Sequence, residues 1–491
     1  MSKMNGIATI LISVLAVSAG TGTAMPDNVI PDGVTCQKLQ SYPVGLPAVG
    51  RLQPALPSVD KESWWSVGCE TLDRGYSVFD DYKHLVSQTC AGYVRLQSGW
   101  GQTEKVRGQY DFTWLDEQVD YLLSQGVKPW LCLCYGNTLY LEDYGPADDI
   151  KHYPRKNNET MAGWCRYVDA VVKHFKGRVS MFELWNEPDL RKALTVADYS
   201  VFLKHTVRAV KQADPHAKVA AGVVSRPESP YIVEALRLLD NEGLAKQIDY
   251  VTFHAYFPNP DMIGDVAVEL REKLRRYNPG IEVLQGEAGC PSIPMFDGGF
   301  SSREWDEVAQ VKWDTRQMLT CFRSSIPSSV FTMVDYVYQS YFITYGMVKL
   351  DLQRRPVYLK PKFHGVRNIA GVVTADHSPS DKVKVLNADC EEEVTVIGLD
   401  KENRTVGYFL WFGGDVPSKH MERKNVTLDV VGARLKDPVY VDILTGKVYS
   451  LKGLLYRGTV VGDRTHFSGL PLWDAPILII ESDEIVIHKN R

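Results

Sequence analysis

The sequence lacks most of the short motifs that announce a chemistry. It holds no paired CxxC, no HExxH and no phosphate-binding loop, which removes the commonest zinc and nucleotide-hydrolysing readings. No GxGxxG follows its first apolar run, so a dinucleotide fold has no fingerprint here. A basic excess is missing too. The formal net charge is −5 and the isoelectric point lies near 6.2, so nucleic acid is not an expected partner. Nine cysteines at irregular spacing make no disulfide framework. Cys132 and Cys134 lie two apart on an expected strand and read as buried packing residues rather than a bridge or a metal site.

Past the N-terminus, no apolar run approaches the length of a membrane-spanning helix. The first 24 residues differ from the rest: Lys3 gives a charged start, Ile7–Ala19 a short apolar run and Gly22-Thr23-Ala24 a small-residue exit. That pattern is a signal peptide, with an uncleaved anchor as the alternative, and it predicts an exported protein, secreted or periplasmic. Asn158, Asn403 and Asn425 begin N-x-T sequons, which matter where exported proteins are glycosylated. What is present is ordinary globular material, with 44% hydrophobic and 23% charged residues in 491. That length suggests one large domain and a smaller one. The 11 Trp and 25 Tyr suit surfaces that stack on flat apolar faces and also hydrogen-bond.

Residues 25–61 are rich in Pro and Gly and read as an extended lead-in. A different rhythm follows, in which short apolar runs alternate with amphipathic stretches. The runs are 64–70, 92–98, 127–136, 179–187, 218–224, 248–256, 281–289 and 329–337, and helical patterns such as 114–126, 161–175, 198–212 and 266–277 lie between them. Eight such units, closing with a helix near 362–371, predict a (β/α)8 TIM barrel over residues 62–373 rather than an open doubly wound sheet. From residue 374 to 491 the rhythm becomes short alternating runs separated by turn residues, which predicts an antiparallel β-sandwich domain.

Function in such a barrel sits at the C-terminal ends of the strands. Two glutamates are expected there, Glu187 after the fourth run and Glu287 after the seventh. Strict alternation puts Met181, Glu183, Trp185 and Glu187 on one face, and Val283, Gln285 and Glu287 on another. If both faces point inward, the two carboxylates converge over the barrel mouth. Cleavage of a glycosidic bond needs such a pair, one acid to protonate the leaving oxygen and one carboxylate to act as base or nucleophile. A separation of roughly 5–5.5 Å means retention of configuration, and roughly 6.5–9.5 Å means inversion. Glu183 is a rival carboxylate about one layer deeper, read as a buried partner for a cation such as Arg95.

The stretch "FELWNEPD", with a Glu on the seventh strand, resembles the glycoside hydrolases of clan A. It is most similar to family 39, which includes β-xylosidases and α-L-iduronidases. The resemblance covers the barrel and implies that Glu187 is the general acid/base and Glu287 the nucleophile of a retaining enzyme without metal or organic cofactor. Asn186 would then hydrogen-bond the sugar 2-hydroxyl. Arg95 resembles the clan's arginine beneath the nucleophile, where it would hold Glu287 ionised. His254 and Tyr256 resemble the clan's H-x-Y pair, the tyrosine touching the nucleophile and the histidine the substrate. Trp100, Tyr135, Asn137 and Trp185 are candidates to line the pocket. Two features depart from the pattern: the eighth run offers Tyr336 or Tyr338 where clan members often carry a tryptophan, and the seventh-run context is "GEAGCPS".

The implied partner is a carbohydrate, an oligo- or polysaccharide. The competing class is a non-catalytic carbohydrate-binding protein on the same barrel. A metal-dependent barrel hydrolase would need His and Asp ligands at successive strand ends, which are absent. Sugar, linkage, internal or terminal cleavage and oligomeric state stay open at this level, since they depend on loops such as 137–158 and 291–305.

Overall fold

Eight of the short apolar runs close into one parallel ring in the computed structural model of the chain. The structure describes residues 30–140, 153–154, 158–190, 193–295, 300–301, 303–338, 341–454 and 464–489. The expected export signal at 1–24 lies outside these residues, as does most of the 137–158 loop. Before the ring come helix α1 (Val34–Ser41) and strand β1 (Ala48–Leu52). The ring itself is β2 (Trp65–Gly68), β3 (Tyr93–Gln97), β4 (Lys128–Leu133), β5 (Met181–Leu184), β6 (Lys218–Val224), β7 (Tyr250–His254), β8 (Glu282–Ala288) and β9 (Ser328–Val330). Each strand pairs in parallel with the next, and β9 returns to β2. Parallel strands are covered on both faces, which is why they appear in the sequence as nearly unbroken apolar runs. Val67, Val94, Leu131, Phe182, Ala220, Val251 and Val283 are all essentially inaccessible.

The connecting helices are α2 (Phe79–Val86), α3 (Trp100–Thr103), α4 (Thr113–Ser124), α5 (Asn158–His174), α6 (Val196–Ala213), α7 (Tyr231–Asp240), α8 (Ile263–Leu274), α9 (Glu307–Arg323) and α10 (Pro361–Val372). Their starts follow capping chemistry. Thr195 accepts from the Asp198 amide at the head of α6, and Asp306 accepts from the Val308 and Ala309 amides at the head of α9. Their apolar faces pack on the ring, as with Tyr199, Phe202, Leu203, Val207 and Val210 of α6.

Residues beyond the barrel form an eight-stranded and a three-stranded antiparallel sheet, the second made of Lys384–Ala388, Lys424–Val431 and Thr465–Leu472. Phe409, Trp411, Leu428, Tyr440, Phe467 and Ile479 are buried here. The lead-in is not merely extended. Its strand β1 pairs antiparallel with Lys447–Ser450 on one side and Ile487–His488 on the other, completing the eight-stranded sheet. A five-residue strand that joins a partner some 400 positions away leaves no local periodicity to read.

Helix α9 lies where barrel and sandwich meet, and it is buried all round from Val308 to Phe322. Its polar residues are therefore paired. Lys312 Nζ donates to Asp474 Oδ1 at 2.5 Å. Arg316 donates to Asp261 Oδ1 at 2.9 Å and to the Asp415 carbonyl at 2.8 Å. The eighth run is shorter than expected. Its strand ends at Val330, and Tyr336 opens a separate hairpin in which Tyr336–Tyr338 pairs with Tyr341–Ile343.

Candidate active site

The site is assembled around Arg95, which β3 carries fully buried into the barrel axis. Arg95 Nε donates to Glu183 Oε2 at 2.8 Å, Nη1 to Glu287 Oε2 at 2.9 Å and Nη2 to Asn186 Oδ1 at 3.1 Å. A third carboxylate, Glu70 just past β2, lies 3.4 Å from Nη1 through Oε1. Burial opposes the charge on Arg95, yet these carboxylates, Glu183 foremost, outweigh it and hold the guanidinium above its already high ordinary value. Glu183 thus takes the role of buried counter-ion expected of it.

Glu187 and Glu287 both reach the mouth, but neither by simple alternation. Strand β5 ends at Leu184, and Trp185 and Glu187 adopt left-handed backbone angles, φ 66° and 43°. The Trp185 indole consequently swings outward, against Trp164 of α5 and Phe202 of α6 at 5.9 and 5.4 Å. Asn186 then faces Arg95, and the Glu187 amide donates to the Val223 carbonyl at 3.0 Å. On the other side, β8 slips register against β7, so that Phe253 faces Gln285 while His254 faces Glu287. The extra residue is Gly286, where a β-carbon would sit 3.4 Å from Glu183 Oε1. This bulge turns Gln285 towards Gln317 of α9 and Glu287 towards the mouth. The expected shared faces are therefore corrected: Trp185 and Gln285 point away from the barrel axis, because the ladders break at the strand ends where alternation stops applying.

Two residues at the end of β7 complete the arrangement. His254 Nδ1 lies 3.0 Å from Glu187 Oε1 and 3.6 Å from Glu287 Oε1. The two oxygens are therefore no farther apart than the sum of those distances, about 6.6 Å. Burial alone would push the imidazole down, but the two carboxylates outweigh it and hold His254 above its ordinary value. Tyr256 donates its hydroxyl to Glu287 Oε1 at 2.5 Å. Burial first, then the charge of Glu287, holds that hydroxyl protonated far beyond its usual range. Arg95, Glu183 and His254 are sealed, whereas the side chains of Glu187 and Glu287 keep 16% and 12% of their surface open. The two accessible carboxylates are thus the ones a ligand would meet.

The remaining candidates separate. Tyr336 stays within electrostatic reach of Glu287. Burial raises its hydroxyl, with Glu70 and Glu287 adding to the effect, and its ring stacks on Tyr76 at 6.4 Å. Asn137 is turned inward: its amide donates to the Glu104 and Trp100 carbonyls and accepts from the Leu139 amide, pinning the loop after β4. Trp100 is fully buried, stacked on Tyr140 and Tyr167, and donates to Glu104 at 2.6 Å. Tyr135 packs between Arg74 and Trp185. The cysteines are all unbridged, and the Cys132 and Cys134 sulfurs lie 3.7 Å apart beneath the site.

Glu70, which the sequence reading passes over, stands at the end of the first apolar run, 64–70. The strand-end rule that found Glu187 applies to it equally. Among the described residues one group brings metal-type donors together, Asp32, Cys36 and His364 on the lead-in and α10. There Asp32 Oδ1 already receives His364 Nε2 at 2.7 Å.

Comparisons with known proteins bear on the family resemblance and on the fold. Residues 93–277 match the family model described as glycosyl hydrolases family 39. That span includes Arg95, Asn186, Glu187, His254 and Tyr256 and ends before Glu287. Among solved structures, a family 39 glycoside hydrolase from Bacteroides cellulosilyticus superposes with a TM-score of 0.65 at 17% identity, covering 87% of this chain and 83% of that one. A monomeric beta-xylosidase from Caulobacter crescentus gives 0.55 at 18% identity over 87% and 97% of the two chains. A family 39 enzyme from Xanthomonas axonopodis pv. citri gives 0.56 at 14% over 89% and 98%. At these identities the structural likeness speaks for the fold, a TIM barrel followed by antiparallel sheets. With the family model matched from β3 to α8, the barrel of this chain resembles the glycoside hydrolases of clan A, and within them family 39.

Proposed function

We propose that the chain is a retaining glycoside hydrolase, β-xylosidase- or β-glycosidase-like, that cleaves O-glycosidic bonds of an oligo- or polysaccharide by double displacement. Glu287 attacks the anomeric carbon while Glu187 gives its proton to the departing oxygen. Glu187 then takes a proton from water, which releases the sugar from Glu287. Arg95 and Tyr256 orient Glu287 from below and from the side, each at hydrogen-bonding distance. Asn186, fixed by Arg95, is aimed at the sugar 2-hydroxyl, and His254 bridges the two acids from the floor. No step calls for a metal or an organic cofactor. The N-terminal pattern favours an exported enzyme, in keeping with a polymeric substrate.

One observation supports the reading: a single imidazole nitrogen lies 3.0 and 3.6 Å from the two carboxylates, so those oxygens are no more than about 6.6 Å apart, at or below the lower edge of the range in which an inverting pair holds a water between its acids. The test is a screen of aryl glycosides and of plant and microbial polysaccharides, with the anomer of the first product followed by NMR. Retention is expected. Replacement Glu287→Ala should abolish turnover, and added azide should yield a glycosyl adduct instead of the natural product. Inverted product, or full activity in that variant, overturns the assignment.

A further inference from the structure

The carboxylate that the double-displacement reading leaves unused is Glu70. Its position is built rather than incidental. The side chain folds back over Gly68, where a β-carbon would sit 2.2 and 2.3 Å from the two carboxyl oxygens, so only glycine leaves room for it. Thr332, just past β9, donates to the Gly68 carbonyl at 2.8 Å and lies 3.1 Å from Glu70 Oε2. Glu70 Oε1 meets Arg95 Nη1, the same nitrogen that donates to Glu287 at 2.9 Å. Glu70 is buried and out of reach of a substrate.

The charges around Arg95 do not balance. One guanidinium serves three carboxylates, of which Glu183 and Glu70 are sealed and Glu287, which also has His254 at 3.6 Å, is partly open. The groups that face Glu70 are Arg95 from β3, Glu287 from β8, Tyr82 from α2, Thr332 and Tyr336 from the segment after β9, and its own neighbour Cys69. Only one of these is a cation. Burial and the Glu287 charge both favour a proton on Glu70, against the pull of Arg95.

We propose that Glu70 is a positioning residue that alternates with Glu287 as a partner of Arg95, neutral while Glu287 is a carboxylate and ionised while Glu287 is esterified. This rests on the double-displacement reading. When Glu287 forms its ester bond, the glycosidic bond breaks, its electron pair goes to the leaving oxygen, and that oxygen takes the Glu187 proton. The Glu287 charge is then gone. Glu70 releases its proton to water and accepts the freed hydrogen bond of Arg95 Nη1, so the guanidinium stays aimed for the second step. Hydrolysis of the ester, with Glu187 taking the water proton, restores the Glu287 charge, and Glu70 takes a proton back from water.

The variant Glu70→Gln keeps the shape and fixes the neutral form. On an aryl glycoside with a good leaving group, kcat/KM should remain within a few-fold, because the first step needs Glu70 neutral. The second step should slow roughly ten- to hundredfold, so that kcat and KM fall together and a burst of released aglycone appears. Equal loss in kcat and kcat/KM, or no change in either, overturns the proposal. An infrared difference between wild type and Glu70→Gln reads the proton without turnover. In that difference a carboxylic-acid carbonyl band belonging to Glu70 is expected on the wild-type side near neutral pH, the protonated Glu187 common to both proteins cancelling, and the absence of such a band also overturns the proposal. A wild type inactive on every glycoside would defeat the glycosidase reading, while the infrared band would still report on Glu70.

Discussion

Replacing Arg95 by Met separates what this residue does for the fold from what it does for the site. Arg95 is fully buried and bonds Glu183 at 2.8 Å. Glu183 is itself sealed, and its other oxygen, Oε1, has no hydrogen-bond partner among the described residues. Removing the cation leaves a buried carboxylate uncompensated, which costs about 3–5 kcal/mol and, in a chain of this length, lowers the melting temperature by roughly 3–8 °C. The double variant Arg95→Met/Glu183→Met removes the stranded charge with side chains of fitting size. Such apolar replacement of a whole buried pair is often neutral, so most of the lost stability should return. Activity should not return in either variant, because Glu287 and Asn186 have lost their shared donor. A drop of roughly 10²–10³ in kcat is expected from removal of one such electrostatic contact. Thermal or urea unfolding and steady-state kinetics on the same preparations decide the matter. A double variant no more stable than Arg95→Met, or one with restored turnover, would refute the pairing argued here.

Tyr256→Phe removes the donor at 2.5 Å from Glu287 while keeping the ring, and should lower kcat roughly ten- to hundredfold with little change in folding; unchanged kcat would mean the contact orients nothing. Burial of Glu70 raises its carboxyl from 4.5 to about 7, so the folded protein holds a proton that the unfolded chain releases. That contribution to stability is full below about 4.5 and is lost as pH rises through about 7. The unfolding midpoint of the wild type should therefore fall across that window relative to Glu70→Gln, and parallel pH curves for the two proteins would show the premise to be mistaken.

The barrel was legible because parallel strands sheathed on both faces need continuous apolar runs; seven ring strands lie within the runs read from the sequence and the eighth, β9, overlaps the start of its run. Glu187 and Glu287 were found by a rule about strand ends that depends on fold and not on exact register. Register itself was illegible. The left-handed turn at Trp185 and the bulge at Gly286 are set by how neighbouring strands part at the mouth, and a single strand's pattern cannot report that. Asn137 illustrates a second limit. An Asn after a barrel strand can face a ligand or cap a loop, and only the nearby Trp100 and Glu104 carbonyls decide for the loop. Strand β1 illustrates a third, since its partners are supplied by the far end of the chain.

The tryptophan of the motif is better understood as a wedge than as a wall of the pocket. Left-handed angles at three residues without the freedom of glycine, Trp185, Glu187 and Val223, each cost about 1–3 kcal/mol and persist only where the surroundings over-determine them. Here the Trp185 amide donates to the Leu133 carbonyl and the Glu187 amide to the Val223 carbonyl. The indole is locked among Tyr135, Trp164 and Phe202, and Trp164 is backed in turn by Trp100 at 5.4 Å. An aromatic layer outside the ring, between strands and helices, thus holds the backbone in a shape it would not choose. That shape is what turns Asn186 and Glu187 back over the barrel axis. A motif residue that touches no ligand can therefore be as necessary to the site as the acid two positions later, because burying its ring outward is the means by which the carboxylate is presented inward.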